Sequence, residues 1–300
     1  TLSITADSLE KYYGDPNPNF SITFNGFKNG QQLSQSGVEG RADFSTDADS
    51  LSDIGYYDIQ IAKGSLNAKN YVFAFKKGAL HILPASVEVA ADDQSKTYGD
   101  PNPELTYTFS GFKHGQSVAS GAATGLPAIS TLAGDTSQVG DYDITVAPGN
   151  LMAKNYVFKY KKGKLSIGKA LLTVAIDNKE RIYGDANPEF SAGFSGFRNG
   201  QDLSSSGIQG NPFLSTLADS LTEVGEYAIT GAPGNLISRN YAFKFISGKL
   251  SILPATLTLT AEDKEKYYGD PNPDFTTAFS GFKNGQSFQN SGLTGNPAFS

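Results

Sequence analysis

The chain has 300 residues, of which 38% are apolar and 18% charged, with no cysteine and a formal net charge of −6. The absence of cysteine excludes a thiol nucleophile, a Cys-ligated zinc site, an iron–sulfur cluster and a disulfide. The negative charge argues against a nucleic-acid partner, because binding a phosphate backbone requires clustered Lys and Arg. No stretch of 18 apolar residues occurs, so no membrane span is predicted. Residues 1–5 lack the features of a signal peptide, which indicates mature or internal sequence.

An internal repeat of 85 residues organises the sequence. The string Tyr-Gly-Asp begins at Tyr13, Tyr98, Tyr183 and Tyr268. Such a fixed period indicates tandem copies of one domain. The chain is therefore divided into repeat 1 (1–85), repeat 2 (86–170), repeat 3 (171–255) and an incomplete repeat 4 (256–300). We expect this segment to belong to a longer array.

Within repeat 1, apolar and polar residues alternate in short runs that predict strands at 2–6, 20–24, 57–61, 71–75 and 80–82. The candidate for a helical turn is Gln31–Ser36, which Gly37 would end. Strict alternation favours antiparallel sheets that bury one face. The predicted fold class is all-β, with tandem small two-layer antiparallel β domains. Both an immunoglobulin-like sandwich and a β-grasp-like arrangement fit this pattern.

Two further expectations concern the end and the core of each repeat. The glycine of Lys76-Lys77-Gly78 is interpreted as part of a hairpin turn that requires a positive φ. Repeat 4 lacks the counterparts of the last strands, so it is predicted to have half a core and, in isolation, to be either disordered or held only by neighbours. The residues predicted to form the buried face of repeat 1 are Ile4, Ile22, Phe24, Tyr57, Ile59, Tyr71, Phe73 and Ile82.

The junctions between repeats are short. Two to four residues separate the last predicted strand of one repeat from the first strand of the next. Pro84 and Pro254 lie at two of these junctions, and proline fixes φ near −65°. So short a joint leaves little room for bending, whereas a flexible linker would be rich in Gly and Ser. The sequence therefore predicts an extended rod in which each repeat contacts its neighbours.

Four motifs carry a resemblance to a known family. They are Tyr-Gly-Asp-x-Asn-Pro from Tyr13, Phe-Ser-Gly-Phe-Lys-x-Gly from Phe109, Val-Gly-x-Tyr-x-Ile from Val139, and Asn-Tyr-x-Phe from Asn155. The chain resembles the MBG domain of the YGX type, and repeat 3 differs slightly in having Ala186 where the other repeats have proline at the x position of the first motif. The resemblance implies a spacer or stalk at the surface of a bacterium, often within an adhesin, and it supplies no catalytic residues.

Little in the sequence indicates a chemical site. No nucleophile elbow, phosphate-binding loop, dinucleotide fingerprint or EF-hand loop is present. His81 and His114 each lack a second histidine nearby in sequence, so no enzyme activity is predicted. Calcium is the cofactor considered, because carboxylates recur near the start of each repeat and hard cations bind several oxygens. These calcium candidates are Asp7, Asp92, Asp93, Asp177, Glu262 and Asp263.

Exposed aromatic pairs suggest a second class of function. Tyr12-Tyr13, Tyr56-Tyr57 and Tyr267-Tyr268 could offer platforms that stack on sugars, although the counterparts of Tyr12 and Tyr56 vary among repeats. The leading prediction is a structural stalk or spacer segment of a long extracellular bacterial adhesin or surface filament. The alternative is a multivalent carbohydrate-binding array with one weak site per repeat. Self-association of the repeats into filaments is a third possibility.

Overall fold

The computed structural model describes residues 1–299, and these residues are almost entirely strands and turns. Within that range the structure contains one short 3-10 helix, Leu33–Gln35, inside the predicted helical turn Gln31–Ser36. No helix in the described range is long and apolar enough to cross a membrane. The predicted all-β class is confirmed.

The strands recur in the same order in each complete repeat. Repeat 1 contains β1 (Leu2–Ala6), β2 (Leu9–Tyr12), β3 (Ile22–Asn25), β4 (Asp43–Ser45), β5 (Gly55–Ala62), β6 (Phe73–Lys76) and β7 (Gly78–Leu83). Next come β8 (Ala85–Ala91), β9 (Gln94–Thr97), β10 (Tyr107–Ser110), β11 (Ala128–Thr131), β12 (Gly140–Ala147), β13 (Tyr156–Lys161) and β14 (Gly163–Gly168). Repeat 3 contains β15 (Ala170–Ile176), β16 (Lys179–Ile182), β17 (Ala192–Ser195), β18 (Phe213–Ser215), β19 (Gly225–Ala232), β20 (Tyr241–Ile246) and β21 (Gly248–Leu253). Repeat 4 contains β22 (Thr258–Ala261) and β23 (Thr277–Ser280).

Each complete repeat is built from a three-stranded and a four-stranded sheet. In repeat 1 the strand orders are β3-β1-β6 and β2-β7-β5-β4. The corresponding orders in repeat 2 are β10-β8-β13 and β9-β14-β12-β11, and in repeat 3 they are β17-β15-β20 and β16-β21-β19-β18. Repeat 4 contributes the pair β22-β23.

The contacts divide the chain into two compact units. The first comprises Thr1–Lys96, Pro101–Gly134 and Asp141–Ser166, and so contains repeat 1 and most of repeat 2. The second comprises Thr97–Asp100, Asp135–Gly140 and the described chain from Ile167 onward. The Tyr-Gly-Asp turn of repeat 2 therefore belongs to the same compact unit as repeat 3.

The sequence did not indicate that the first two strands of a repeat pair in parallel with its last two strands. Strand β1 pairs in parallel with β6, and β2 pairs in parallel with β7. Asp7 and Ser8 alone separate β1 from β2, and Lys77 alone separates β6 from β7. Two neighbouring segments thus leave one sheet and enter the other together, as a continuous two-stranded ribbon with a bend. The sheets are mixed rather than purely antiparallel.

The hairpin interpretation of Lys76-Lys77-Gly78 is wrong. Strands β6 and β7 lie in different sheets, and Gly78 does not have a positive φ. Its role is close approach, because a Cβ on Gly78 would lie 2.4 Å from the carbonyl oxygen of Ala6. The counterparts Gly163 and Gly248 meet backbone oxygens at 2.5 and 2.7 Å in the same way. Glycine is required where the ribbon bends from one sheet into the other.

Replacing Gly78 with alanine should destabilise repeat 1 by about 1–3 kcal/mol, the usual cost of forcing extra atoms into a packed site. The rigid backbone of Ala6 cannot move away as a flexible side chain could. Gly193→Ala is the matched control, because Gly193 lies in β17 with a negative-φ backbone and open space around it. Urea unfolding of both variants measures the difference. Equal stabilities would contradict the close approach at the bend.

Fewer residues of repeat 1 are fully buried than the alternation of apolar and polar residues predicted. Of the eight predicted core residues, Ile4, Ile59 and Ile82 are fully buried, with exposed fractions of at most 1%. The other five are only partly buried. For Ile22, Phe24 and Phe73 the reason is that β3 and β6 are both edge strands of a small sheet, so their inward side chains are covered from one side only. The partly buried residues are Ile22, Phe24, Tyr57, Tyr71 and Phe73.

The apolar core does not end at the boundary of repeat 1. A single cluster of buried residues joins Ala6, Ile59 and Leu80 of repeat 1 to Val87 and Tyr156 of repeat 2. One residue, Pro84, separates β7 from β8, which is shorter than the predicted junction. Burial at this junction therefore stabilises both repeats at once, at roughly 25 cal/mol per Å² of apolar surface removed from water.

Repeat 4 has the first elements of the fold and little burial. Strand β22 pairs with β23 in the antiparallel register that β1 and β3 have in repeat 1. All four residues of β22 are exposed, whereas the equivalent positions in β1 alternate between partly and fully buried. The last strands of the other repeats supply the missing cover there.

Candidate inter-repeat interface

The Tyr-Gly-Asp turn follows the second strand of each complete repeat. In repeat 1 the Asp15 N–H donates to the Tyr12 carbonyl at 3.1 Å, and Gly14 between them has φ of +85°. A type II turn requires positive φ at this third position, which favours glycine. The Tyr13 N–H donates to the Leu83 carbonyl at 2.8 Å and so fixes the turn to the last strand of its own repeat.

The tyrosine of the turn packs against the next repeat. The Tyr13 ring contacts Tyr156 edge-on, with centroids 5.3 Å apart, and Tyr13 is only 3% exposed. Gln116 of repeat 2 lies between the two hydroxyls: its Nε2 donates to the Tyr13 hydroxyl at 3.0 Å, and its Oε1 accepts from the Tyr156 hydroxyl. Edge-to-face pairs of this kind stabilise by about 0.5–1.5 kcal/mol beyond their burial.

The same arrangement recurs within the second unit. Tyr98 packs edge-on against Tyr241 with a centroid distance of 5.6 Å. Both hydroxyls donate to Gln201 Oε1, at 3.2 Å from Tyr98 and 2.6 Å from Tyr241. Tyr241 is 1% exposed, while its counterpart Tyr71 in repeat 1, which has no such turn against it, is only partly buried. Burial at this position accompanies docking of a Tyr-Gly-Asp turn.

The glycine of the turn makes room for a basic side chain. A Cβ on Gly14 would lie 2.4 Å from Cγ of Lys113, so the lysine stem crosses directly over the glycine. Gly99 meets the Arg198 Cβ at 2.4 Å, and Gly184 meets the Lys283 Cβ at 2.3 Å. Any larger residue would displace the stem, in addition to being strained at positive φ.

The aspartate of the turn pairs with the head of that basic side chain. The distance from carboxylate oxygen to nitrogen is 3.1 Å for Asp15–Lys113, 3.3 Å for Asp100–Arg198 and 2.7 Å for Asp185–Lys283. These side chains are more than a third exposed, so each pair is worth only about 0–1 kcal/mol. Their contribution is to fix the register of the turn on its partner rather than to supply most of the stability.

The asparagine of the Asn-Tyr motif makes a second set of contacts with the preceding repeat. Asn155 Oδ1 accepts from the Ile54 N–H at 3.1 Å, and its Nδ2 donates to Asp53 Oδ1 at 2.7 Å. Lys154 also binds the Asp53 carboxylate. In the second unit, Asn240 Oδ1 likewise accepts from the Val139 N–H at 3.1 Å.

Acidification should weaken docking through Asp53. Hydrogen bonds from Lys154, and then Asn155, hold the pKa of the Asp53 carboxyl below its ordinary value, and the same contact raises the pKa of Lys154. A lowered carboxyl pKa stabilises the folded state above the unfolded pKa, and this contribution is lost as the pH falls through the folded value. Melting wild type and Asp53→Asn between pH 3 and pH 7 should show a stability difference that is steady above about pH 5 and shrinks as the pH falls below about pH 4. A stability difference that does not change with pH would contradict a stabilising role for the ionised Asp53 carboxylate.

The third junction shows part of the same interface. Besides the Lys283 contacts, Asn284 Nδ2 donates to the Ser220 carbonyl at 2.9 Å. Tyr183 and Gln286, the counterparts of Tyr13 and Gln116, line one cleft at this junction.

The predicted calcium candidates are spread along the chain instead of meeting at a junction. Asp7 accepts hydrogen bonds from Ser21 Oγ at 2.5 Å and Thr23 Oγ1 at 2.7 Å, which lower the pKa of its carboxyl. Its counterparts are Asp92, Asp177 and Glu262, and the other two candidates, Asp93 and Asp263, occupy the next position in their repeats. Across residues 1–299 no three His, Asp or Glu side chains converge as a metal site would require.

Two of these carboxylates have cross-strand partners of their own. Asp177 accepts from Ser191 Oγ at 2.6 Å, and Asp93 Oδ1 accepts from the Lys164 backbone N–H at 2.7 Å. The first contact links the segment after β15 to the one before β17, and the second lies at the bend of the repeat 2 ribbon. These acidic residues therefore hold neighbouring strands together.

Both histidines and the exposed Tyr56 take part in structural contacts. His81 stacks on Tyr56 with ring centroids 4.1 Å apart, across the β5–β7 pair. At the position of Tyr56 the other repeats have Asp141 and Glu226, which form ion pairs with Lys164 and Lys249. His114 contacts the Gly14 carbonyl at 3.0 Å, within the inter-repeat interface. Each of these positions serves a cross-strand or inter-repeat contact.

Sequence reasoning identified the motifs but missed their shared role. In the sequence, the Tyr-Gly-Asp, Gly-Phe-Lys and Asn-Tyr strings indicated only the 85-residue period and the family resemblance. A signal was present, however: Lys28, Lys113, Arg198 and Lys283 keep a positive charge, and Gln31, Gln116, Gln201 and Gln286 are identical. A basic residue and a glutamine that recur at the same loop positions in every repeat indicate a shared structural role.

Comparison with known proteins gives one family and distant structural similarity. The sequence profile described as MBG domain (YGX type) matches residues 2–81, 87–166, 172–251 and 257–298. No curated protein sequence matches the chain.

Among solved structures, the I9–I11 tandem of titin aligns with 85% of this chain and 100% of its own length, at 8% identity and a TM-score of 0.25. Drosophila N-cadherin EC1–4 aligns with 83% of this chain and 74% of its own, at 8% identity and a TM-score of 0.19. Drosophila N-cadherin EC1–3 aligns with 83% and 98%, at 9% identity and a TM-score of 0.19. TM-scores this low do not establish a common arrangement.

Proposed function

This chain belongs to the MBG domain (YGX type) family, and on that premise we propose that it is a spacer segment of a long repetitive extracellular protein at a bacterial surface. One observation carries the proposal. The residues that recur every 85 positions are used to dock one repeat on the next: Tyr13, Gly14 and Asp15 meet Lys113 and Tyr156. A domain whose recurring residues contact the adjacent repeat is suited to holding successive repeats at a fixed spacing.

The connection between repeats supports the same function. One residue separates β7 from β8, and one separates β14 from β15. A linker of that length cannot act as a flexible coil, since coil behaviour needs a run of Gly-rich or Ser-rich residues. If the joints are stiff, the end-to-end length of the array increases in proportion to the number of repeats. Recognition of a target would then belong to another part of the parent protein.

The proposal assigns no catalytic residue and no cofactor to this segment. The alternative of a carbohydrate-binding array has less support, because the exposed aromatic at Tyr56 becomes Asp141 in repeat 2 and Glu226 in repeat 3. An array of equivalent weak sites gains avidity only when each repeat offers the same platform. This position instead forms an aromatic stack in repeat 1 and an ion pair in repeats 2 and 3.

Small-angle scattering of residues 1–255 tests the spacer. A repeat of this size has a radius of gyration near 12 Å, so each should advance roughly 35–45 Å and three should give a maximum dimension of roughly 110–140 Å. A compact particle would contradict a spacer. Binding on a glycan array, with affinity that rises with the number of repeats, would favour the alternative.

A further inference from the structure

We infer that each complete repeat is built to bear tension applied along the chain. The feature that carries this inference is the parallel ribbon in which the first two strands of a repeat pair with its last two, β1 with β6 and β2 with β7. In repeat 1 the pairs run from Leu2↔Phe73 to Thr5↔Lys76 and continue from Leu9↔Leu80 to Tyr12↔Leu83. The inference deepens the proposed spacer function, since a spacer that holds a load must not unfold under it.

The direction of the strands decides how force reaches the hydrogen bonds. The chain enters at the start of β1 and leaves at the end of β7, and parallel pairing puts these two points at opposite ends of the ribbon. Tension then slides the paired segments past each other and loads the evenly spaced bonds of the ladder together. If the terminal strands were antiparallel neighbours, both ends would lie at the same side and the bonds would open one after another.

The ribbon stays hydrogen-bonded where it bends between sheets. In repeat 1 the Ala79 N–H donates to Ser8 Oγ at 3.2 Å. At the same place in repeat 3, the Lys249 N–H donates to Asn178 Oδ1 at 2.8 Å. Each repeat therefore has a short oxygen-bearing side chain that accepts from the opposite strand at the bend. The two halves of the ladder form one continuous load-bearing element.

The same ribbon recurs in the other complete repeats. Strand β13 pairs in parallel with β8, from Tyr156↔Ala85 to Lys161↔Ala90. In repeat 3, β15 pairs in parallel with β20, and β16 with β21. Because Pro84 alone joins β7 to β8, tension leaving repeat 1 enters the ribbon of repeat 2 directly. The loops and the strands β3, β4 and β5 lie outside this path.

Single-molecule pulling of the full chain in two directions tests the inference. The protein has no cysteine, so pairs of introduced cysteines give unique handles. Thr1→Cys with Ser86→Cys loads the ribbon of repeat 1 in shear. Thr1→Cys with Val72→Cys pulls on two exposed residues at the same end of the ribbon, because the Leu2 N–H donates to the Val72 carbonyl at 2.8 Å. This second pair opens the bonds one at a time.

The expected result is a ratio of unfolding forces, shear over opening, well above one at equal loading rate. In shear, the unfolding of repeat 1 should release roughly 280–305 Å of chain, less the folded end-to-end distance. Forces that are equal, or lower in shear, would overturn the inference. Scattering reports shape without load and pulling reports strength, so the spacer and the load-bearing role can fail separately.

A matched pair of proline variants separates force from stability. Ala74→Pro removes a backbone donor from β6, and Thr23→Pro removes one from β3; both are edge strands beside β1 in the same sheet. Both variants should unfold at lower urea concentration. Only Ala74→Pro should lose shear resistance beyond what its stability loss explains. A Thr23→Pro variant that weakens in shear as much as Ala74→Pro, at matched stability, would also overturn the inference.

Discussion

Replacing Tyr13 with alanine should lower the free energy of unfolding of repeats 1 and 2 by about 3–5 kcal/mol, the range for removing a buried aromatic side chain. The effect is large because one ring serves two purposes. Tyr13 belongs to the buried cluster that joins Ile59 and Leu80 of its own repeat to Val87 of the next. It also packs edge-on against Tyr156. The loss should therefore appear in both repeats.

Two variants show which part of this loss comes from docking. Tyr268 occupies the same motif position in repeat 4 but is fully exposed, so Tyr268→Ala should change stability by less than about 0.5 kcal/mol. Tyr13→Phe keeps the ring and loses only the hydrogen bonds with Gln116, at about 0.5–1.5 kcal/mol. Urea unfolding followed by tyrosine fluorescence or circular dichroism measures all three. A Tyr13→Ala variant as stable as Tyr268→Ala would refute the docking role.

Leu80→Ala should destabilise repeat 1 by about 2–5 kcal/mol, because the side chain is completely buried and its removal leaves a cavity. Leu80 lies on β7, where it pairs with Leu9 of β2 on one side and Tyr57 of β5 on the other. The strand is central in its sheet, so the neighbours have little freedom to close the gap.

The matched control for Leu80→Ala is Val72→Ala. Val72 is 73% exposed, so this variant should change stability by less than about 0.5 kcal/mol. Phe73→Ala should fall between the two, since Phe73 lies on an edge strand and is only partly buried. A loss below 1 kcal/mol for Leu80→Ala would mean that the two sheets do not pack as described.

The repeat and five of the seven strands of repeat 1 were predictable from the sequence because their signals are local, whereas the short strands β2 and β4 were not predicted. Alternation over a few residues indicates a strand, and the 85-residue period indicates a tandem domain, without any knowledge of pairing. The parallel ribbon was not predictable in the same way. A strand such as β1 shows the same alternation whether its neighbour runs parallel or antiparallel, and a glycine such as Gly78 is compatible with either a turn or a close approach.

The interface was hidden for a different reason. Its contacts join residues about one full repeat apart, such as Asp15 with Lys113 and Asp53 with Asn155. Each motif has a sufficient local explanation, as a turn or as the start of a strand, so nothing within one repeat requires an external partner. Comparing the repeats with one another at loop positions would have supplied the missing evidence, because Lys113 becomes Arg198 without loss of charge.

The distance between spin labels on two successive repeats tests the central claim most directly. Gln60→Cys on β5 and Thr108→Cys on β10 place labels on exposed strand positions away from the interface, in a protein with no other cysteine. If the Tyr-Gly-Asp turn fixes repeat 1 on repeat 2, pulsed electron paramagnetic resonance should give one narrow distance distribution. Adding Tyr13→Ala should broaden it, and adding Tyr268→Ala should not. A broad distribution without either substitution, or a narrow one that survives Tyr13→Ala, would contradict docking through this turn.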